Sequence, residues 1–224
     1  MERPPQLDIY FHNERDDVLP FVPRDVTSVL DVGCSVGGFG QALRHLLGPD
    51  ARVEGIEAVA HQAEEARTKG LDEVHTGYFP DDLPEGRRYD LITFNDVLEH
   101  LVDPWAAMRA CHEHLNPGGR VLAAIPSIQH IDTVLKLLKG RWDYSDGGGT
   151  LDRTHVRFFT RATMIELFEE SGFTVETCEG INGHEHRWRT DPVAVRRMAK
   201  LGLAKGLRDF NFLHFLLVGR SREA

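Results

Sequence analysis

A glycine-rich segment in the first third of the chain carries residue types that bind nucleotide-like ligands. The segment VLDVGCSVGGFG, residues 29–40, has the pattern of a strand, a tight turn and the start of a helix. Gly33 allows the sharp turn, and Gly37 and Gly38 let a ligand and the neighbouring backbone come close. Turns of this kind also bind nucleotide phosphates, so the glycines alone leave the ligand undetermined.

An acidic residue stands at the end of the next predicted strand. Glu57 closes the segment RVEGIE and follows Gly33 by 24 residues. A carboxylate at this place accepts hydrogen bonds from both hydroxyls of a ribose. NAD, FAD and S-adenosylmethionine (SAM) each contain such a ribose, so Glu57 predicts a ribose without choosing among these cofactors.

The charge of the turn favours SAM over a dinucleotide. A dinucleotide brings a pyrophosphate that binds at a helix N-terminus, whereas the amino-acid tail of SAM carries an ammonium group. Asp31 lies two residues before Gly33, where its carboxylate would repel a pyrophosphate and accept a hydrogen bond from an ammonium. Ser35 also occupies the place of the second glycine in the dinucleotide spacing G-x-G-x-x-G. The sequence therefore predicts a SAM site.

Three histidines follow predicted strands and are candidates for a base that deprotonates an acceptor hydroxyl: His100, His130 and His155. His155 is our first choice because it lies in a dense polar cluster. In that cluster Asp152 would orient the imidazole, and Arg157 would hold a phosphate or carboxylate of the acceptor. A network that pins the segment to the core is an equally good interpretation. We expect His100 to cap or orient the same loop.

Two further features of the sequence bear on the acceptor site. Residues 139–160 lose helical and strand periodicity, and Trp142 and Tyr144 in this predicted lid have rings that stack on sugars. His184 and His186 form an H-x-H pair, but no third ligand follows at a familiar spacing. The sequence therefore predicts no metal site.

Alternating strands and helices must position these residues, and they predict an α/β fold with a mostly parallel sheet. The predicted strands are 27–32, 52–57, 73–76, 89–94, 120–125, 173–178 and 210–218. The predicted helices are 37–47, 59–69, 104–115, 128–138, 161–171 and 192–203, with a turn at 116–119. We expect one domain over 1–224, with a core at 27–127, a lid at 139–160 and an antiparallel edge within 173–220.

Composition narrows the class of partner. The chain has 224 residues, 41% of them apolar, and a formal net charge of −9, which gives no general attraction to nucleic acid or anionic membranes. The basic positions 187, 189, 196, 197 and 200 are expected to be a solvated helix face. Three widely spaced cysteines favour a reducing compartment, and no apolar run is long enough for a membrane span. A cytoplasmic enzyme of undetermined oligomeric state is the expectation.

Three segments together resemble class I SAM-dependent methyltransferases. VLDVGCSVGG resembles motif I of that family, FNDVLEHLVDP (94–104) the segment after its fourth strand, and LNPGGRVLAAIPS (115–127) the turn into its fifth. They occur in the family's order and spacing over residues 27–127. The resemblance implies a Rossmann-like class I fold with seven strands and an enzyme that uses SAM as methyl donor.

A narrower resemblance points to the acceptor. Tyr10, Arg15 and Pro20 precede motif I as in a subgroup of bacterial methyltransferases, and residues 140–173 are similar to that subgroup's downstream signature. Such proteins often act in cell-surface polysaccharide pathways, alone or fused to glycosyltransferases. The resemblance implies O-methylation of a sugar or glycan precursor. The alternatives are another small acceptor of quinone or phenol type, or a non-catalytic SAM-binding module.

The family resemblance also implies roles for single residues. Asp31, Gly33 and Gly37 would frame the methionine part of SAM, and Glu57 would hold the ribose. Tyr78 and Phe79 would lie by the adenine; many relatives have an aspartate in place of Tyr78, so backbone contacts or Asp81 would substitute. The full predicted cofactor-binding set is Asp31, Gly33, Cys34, Gly37, Glu57, Ala58, Tyr78, Phe79, Asn95 and Asp96, the last two at the border with the acceptor.

Overall fold

The computed structural model describes residues 14–183 and 208–222, and seven strands in these ranges form one sheet. The strands are β1 Ser28–Val32, β2 Arg52–Glu57, β3 Glu73–Thr76, β4 Tyr89–Asn95, β5 Leu115–Pro126, β6 Phe173–Gly183 and β7 Phe212–Ser221. Their order is β3-β2-β1-β4-β5-β7-β6. Neighbours among β1 to β5 pair in parallel, and β7 pairs antiparallel with both β5 and β6. The predicted Rossmann-like, mostly parallel seven-stranded fold is confirmed.

Within the described residues, five α-helices lie between these strands, each near a predicted range: α1 Gly38–Leu47, α2 Ala60–Ala66, α3 Pro104–His114, α4 Ile131–Leu138 and α5 Arg161–Glu170. Local caps explain where two of them begin. Asp103 accepts a hydrogen bond from the Ala106 N–H at the start of α3, 2.9 Å away. Thr160 accepts one from the Thr163 N–H at the start of α5. The predicted helix 192–203 lies outside the described residues.

Two predicted boundaries differ most from the structure. The expected turn at 116–119 is an irregularity inside β5, because Leu115 already pairs with Tyr89 before Arg120 pairs with Leu91. The left-handed backbone of Gly118, with φ 74°, accommodates the extra residues. Strand β6 runs five residues beyond its predicted end, since β7 pairs with it along most of its length.

The core forms on both faces of the sheet. Successive residues of β1 and β4 alternate between the two sides, so Val29 and Leu91 join one apolar cluster while Leu30 and Ile92 join the other. The carboxyl ends of β1, β2 and β4 meet at one edge, and this edge carries the glycine-rich turn. Within the described ranges, no helix combines the length and apolar composition that crossing a membrane requires.

Candidate active site

The turn after β1 has a backbone that depends on its glycines. Gly33 has φ 71°, and a Cβ there would lie 2.7 Å from Cγ2 of Val97. Gly37 has φ 83°, and its Cβ would lie 3.0 Å from the Cα of Ala66 in α2. Ser35 itself adopts a left-handed φ of 49°. Ser35 therefore has a backbone conformation that glycine usually adopts. The missing side chain of Gly37 lets α2 pack closely against the turn.

Substituting Gly37 tests whether this packing shapes the turn. We expect Gly37→Ala to lower the free energy of unfolding by roughly 2–4 kcal/mol, because it combines a strained left-handed backbone with a clash against α2. Gly70→Ala is the control: Gly70 has φ 81° but nothing within 4 Å of the added Cβ. Urea unfolding of both variants separates strain from packing, and equal losses would contradict the packing argument.

Glu57 joins the turn to the end of β2. Its Oε2 accepts a hydrogen bond from the Ser35 N–H at 2.9 Å, and its Oε1 accepts one from the Val59 N–H at 2.8 Å. The side chain is buried. A carboxylate offers about four acceptor positions, so each oxygen retains one for a ligand hydroxyl. Glu57 thus both fixes the turn and keeps the capacity to bind a ribose.

Asp31 lies beneath the turn in the middle of the sheet. Only 2% of it is exposed, and the Thr93 hydroxyl on neighbouring β4 donates a hydrogen bond to its Oδ1 at 2.7 Å. Burial raises the pKa of Asp31 to about 7. The hydrogen bond from Thr93 acts in the opposite direction, because it favours the ionised form. A cationic ligand group nearby would stabilise the carboxylate, so the site is suited to an ammonium.

The residues at the exit of β4 are held in two different ways. Both polar atoms of the Asn95 amide are buried, and neither makes a hydrogen bond of ordinary geometry with a described residue. Asp96 has φ 54° and binds Arg15 through one oxygen and His214 Nε2, 3.0 Å away, through the other. Burial opposes ionisation, but these partners hold the pKa of Asp96 below its ordinary value. Asp96 is therefore a fixed negative charge at the exit of β4.

The remaining predicted cofactor residues differ widely in exposure. Cys34 is buried against Gly55, and burial raises the pKa of its thiol. Ala58 is exposed directly after Glu57. Tyr78 is 70% exposed, and its backbone N–H donates to Oδ2 of Asp82 at 2.8 Å. The ring of Phe79 instead packs edge-on against Phe94 in the core, with centroids 5.8 Å apart. Tyr78 is thus the member of the pair with an exposed ring, and the contact of Asp81 with the adenine stays a prediction.

A cavity of about 710 Å³ opens beyond the carboxyl end of β4. Asp96 lines it, as do Arg15 from the N-terminal segment and His214 from β7. Residues 146–150 of the predicted lid and His155 complete much of the wall. The cavity therefore begins where the predicted cofactor site ends, which is where an acceptor has to lie for group transfer.

Of the predicted catalytic residues His155, Asp152 and Arg157, only His155 and Asp152 line the cavity. His155 is buried in the cavity wall, its Nδ1 lies 3.1 Å from the Thr150 carbonyl, and burial lowers its pKa. Because a carbonyl only accepts, Nδ1 carries the proton and Nε2 keeps a lone pair. The Asp152 carboxylate accepts instead from the N–H groups of Thr154 and Gly148, each at 2.8 Å. The prediction that Asp152 orients the imidazole is corrected, since the Thr150 carbonyl does so.

Arg157 and the other two candidate histidines also have defined places. The Arg157 Nε donates to the exposed Val102 carbonyl at 3.0 Å. Its guanidinium therefore binds the backbone there and does not line the cavity. His100 Nδ1 lies 3.3 Å from the Thr154 carbonyl, in agreement with the expected role in orienting the loop. His130 is buried at the start of α4. The positions His184, His186, Trp188 and Tyr10, and the basic positions between 187 and 200, lie outside the described residues.

Comparison with known proteins decides the family. A family model described as a methyltransferase domain matches residues 10–177 of the chain. The chain belongs to this methyltransferase family. Residues 10–177 thus form a methyltransferase domain, as the three resembling segments implied.

Individual relatives are more distant. The ubiquinone biosynthesis O-methyltransferase of Pseudomonas syringae pv. tomato is 37% identical over 101 residues, which cover 42% of this chain and 41% of that protein. The protein of that name from Psychrobacter arcticus is 28% identical over 171 residues, covering 69% of this chain and 62% of that protein. A SAM-dependent methyltransferase structure from Archaeoglobus fulgidus has a TM-score of 0.65 at 17% identity, covering 91% of both chains, which shows the fold. Neither relative's name refers to glycans, so the expected glycan subgroup gains no support from them.

The methyltransferase has two cavity residues that sequence reasoning left without a role. The Glu99 side chain is 1% exposed, and its carboxylate makes no hydrogen bond of ordinary geometry with another described residue. Burial, with the nearby charge of Asp96, raises the pKa of Glu99 well above its ordinary value. His214 reaches Asp96 from β7, a contact that depends on the strand order. The segment VLEHL marks Glu99 as part of the family pattern, but its burial is visible only in the fold.

Proposed function

We propose that this methyltransferase transfers the methyl group of SAM to a hydroxyl of a small phenol or quinol bound in the 710 Å³ cavity. The observation that carries the proposal is the position of Asp96, which belongs to the predicted cofactor set and also lines the cavity. Relatives named ubiquinone biosynthesis O-methyltransferase support an oxygen acceptor of this class. A phenolic hydroxyl, with a pKa of about 10, loses its proton more readily than an ordinary alcohol.

The reaction needs alignment and the removal of one proton. The bond between sulfur and the methyl carbon breaks as the bond from the acceptor oxygen to that carbon forms, and the sulfonium becomes a neutral thioether. The hydroxyl proton leaves to a base or to water. We assign this deprotonation to the part of the cavity wall formed by Glu99, His100 and His155. Burial keeps His155 neutral, so its Nε2 has a lone pair that can accept the proton. Asp31 and Glu57 hold the donor.

Removing the His155 imidazole separates catalysis from cofactor binding. We expect His155→Ala to lower kcat by about a hundredfold or more, the usual contribution of a positioned acid–base group, with little change in the affinity for S-adenosylhomocysteine (SAH). Arg157→Ala is the matched control, because its guanidinium binds the Val102 carbonyl outside the cavity wall. Steady-state kinetics and calorimetry check both variants. Unchanged turnover in His155→Ala would move the activation to another group.

The acceptor class is tested by transfer of an isotope-labelled methyl group from SAM. The panel contains catechols, hydroxybenzoates and reduced quinones on one side, and nucleotide sugars and free sugars on the other. Label in the phenols or quinols supports the proposal. Label confined to sugars would restore the glycan expectation, and SAH binding without transfer to any compound would favour the non-catalytic binding module.

A further inference from the structure

The cavity beyond β4 is lined by many more acidic than basic side chains. Six carboxyl groups line it: Asp16, Asp17, Asp96, Glu99, Asp146 and Asp152. Among the described residues that line it, Arg15 is the only arginine or lysine. The cavity therefore has a surplus of acidic groups at the place where the acceptor has to lie.

The guanidinium of Arg15 already binds two of these carboxylates. Its Nε and Nη2 donate to the two oxygens of Asp17 at 3.0 and 3.1 Å, and its Nη1 donates to Asp96. The bidentate geometry with Asp17 is the strongest arrangement that an arginine and a carboxylate form. Since two carboxylates share one guanidinium, these three side chains keep a net negative charge. An anionic acceptor would have to compete with both carboxylates for Arg15.

Two further carboxylates lie in the glycine-rich part of the wall. Asp152 accepts hydrogen bonds from the N–H groups of Gly148 and Thr154. Burial opposes its ionisation, but these hydrogen bonds and the one from the Thr154 hydroxyl hold the pKa of Asp152 below its ordinary value. Asp146 pairs with Arg153, which does not line the cavity, and both side chains are mostly exposed. Exposed pairs of this kind are weak, so Asp146 remains able to interact with a ligand.

Glu99 adds an observation that does not depend on the number of charges. Its side chain is 1% exposed and lines the cavity, and both carboxyl oxygens are buried without a hydrogen bond of ordinary geometry to another described residue. A buried polar group without a partner is costly. A ligand N–H or O–H group would satisfy Glu99 in either protonation state, because a carboxyl group keeps an acceptor oxygen in both. Glu99 therefore points to a ligand that brings hydrogen-bond donors.

Resting on the proposed function, we propose that the cavity preferentially binds a phenol or quinol that carries an ammonium group, and disfavours one that carries a carboxylate or phosphate. A cleft lined by one sign of charge concentrates the field inside it and attracts ligands of the opposite sign. An ammonium group also has three N–H donors, whereas an ionised carboxylate has only acceptors. Asp16 and Asp146 can be neutralised without touching the predicted cofactor residues or His155, so these two aspartates test the charge preference.

Three catechols of similar size but different charge provide the probes. They are 3,4-dihydroxyphenethylamine, which is cationic, 4-propylcatechol, which is neutral, and 3,4-dihydroxyphenylacetate, which is anionic. Calorimetry measures their affinity for the SAH-saturated protein at pH 7.5, where an ordinary imidazole is mostly neutral. We expect the cationic catechol to bind at least about tenfold more tightly than the neutral one, and the anionic catechol at least about tenfold more weakly. Added salt should narrow both ratios, because it screens partly exposed charges.

Neutralising two aspartates of the wall tests their part in the preference. In Asp16→Asn/Asp146→Asn, the ratio of the affinities for the cationic and the anionic catechol should narrow by at least about fivefold. Asp50→Asn is the matched control, because Asp50 is exposed and does not line the cavity, and it should keep the wild-type ratio. SAH binding verifies the folding of both variants. An unchanged ratio in the folded double variant would overturn the proposal.

Binding and methyl transfer are measured separately, so the two proposals can fail independently. Equal affinities for the three catechols, tightest binding of the anionic one, or binding of none of them would overturn the charge preference. Methyl transfer to all three with equal kcat/KM would also contradict the preference, while leaving the proposed function intact. The expected order of affinities without methyl transfer to any phenol or quinol would support the preference and contradict the proposed function.

Discussion

Replacing Asp31 with Asn is expected to stabilise the ligand-free protein above neutral pH while it removes tight SAH binding. Burial raises the pKa of Asp31 from 3.8 to about 7 in the folded chain. The folded state therefore binds this proton more tightly than the unfolded state does. The cost of the carboxyl to folding is small below pH 4, grows as the pH rises to 7, and then stays on the order of 4 kcal/mol.

Urea unfolding at pH 5 and pH 8 measures this effect. Asn keeps an acceptor for the Thr93 hydroxyl, which donates to Asp31 at 2.7 Å, but carries no charge. The stabilisation should be larger at pH 8 than at pH 5. The affinity for SAH should fall by about a hundredfold or more, because the ammonium loses a buried ionic partner. Lower stability at pH 8, or unchanged SAH affinity, would contradict the role given to Asp31.

Removing the Glu57 carboxylate has the second largest expected effect. Glu57→Ala deprives the Ser35 and Val59 N–H groups of their acceptor. It also removes the acceptors that we predict for both ribose hydroxyls. We expect SAH to bind at least a hundredfold more weakly, and the free energy of unfolding to fall by roughly 1–3 kcal/mol. Calorimetry with SAH and urea unfolding measure the two effects.

Glu57→Gln is the matched control for the two roles. A glutamine oxygen can still accept one backbone N–H, so most of the stability should remain, while the paired acceptors for the ribose hydroxyls are lost. The two substitutions should thus resemble each other in SAH affinity and differ in stability. Full SAH affinity in Glu57→Gln would show that the ribose does not depend on the carboxylate.

Local signals in the sequence were sufficient for much of the fold and for the cofactor turn. The bounds of β2 and β3 agree with the predicted 52–57 and 73–76, because short apolar runs end at clear turn residues. The places of Asp31, Gly33 and Glu57 at the ends of β1 and β2 could be predicted because they follow from consecutive strands, and the roles of these residues toward SAM stay predictions. These features are local in the chain, so periodicity and spacing were enough to find them.

Features that depend on distant contacts could not be predicted in this way. The insertion of β7 between β5 and β6 brings His214 to Asp96, and no local pattern encodes that strand order. Asp152 is close to His155 in sequence, yet the Thr150 carbonyl binds the imidazole. Glu99 belongs to a segment of the family pattern, but its burial is visible only in the fold, where its carbonyl accepts hydrogen bonds from the Val156 and Arg157 N–H groups.

A crystal structure of the SAH complex tests the central claim most directly. We predict that both ribose hydroxyls bind the Glu57 carboxylate, and that the ammonium lies beside Asp31, directly or through one water. The sulfur should face the cavity next to Asp96. A ribose bound away from Glu57, or an ammonium far from Asp31, would contradict the account.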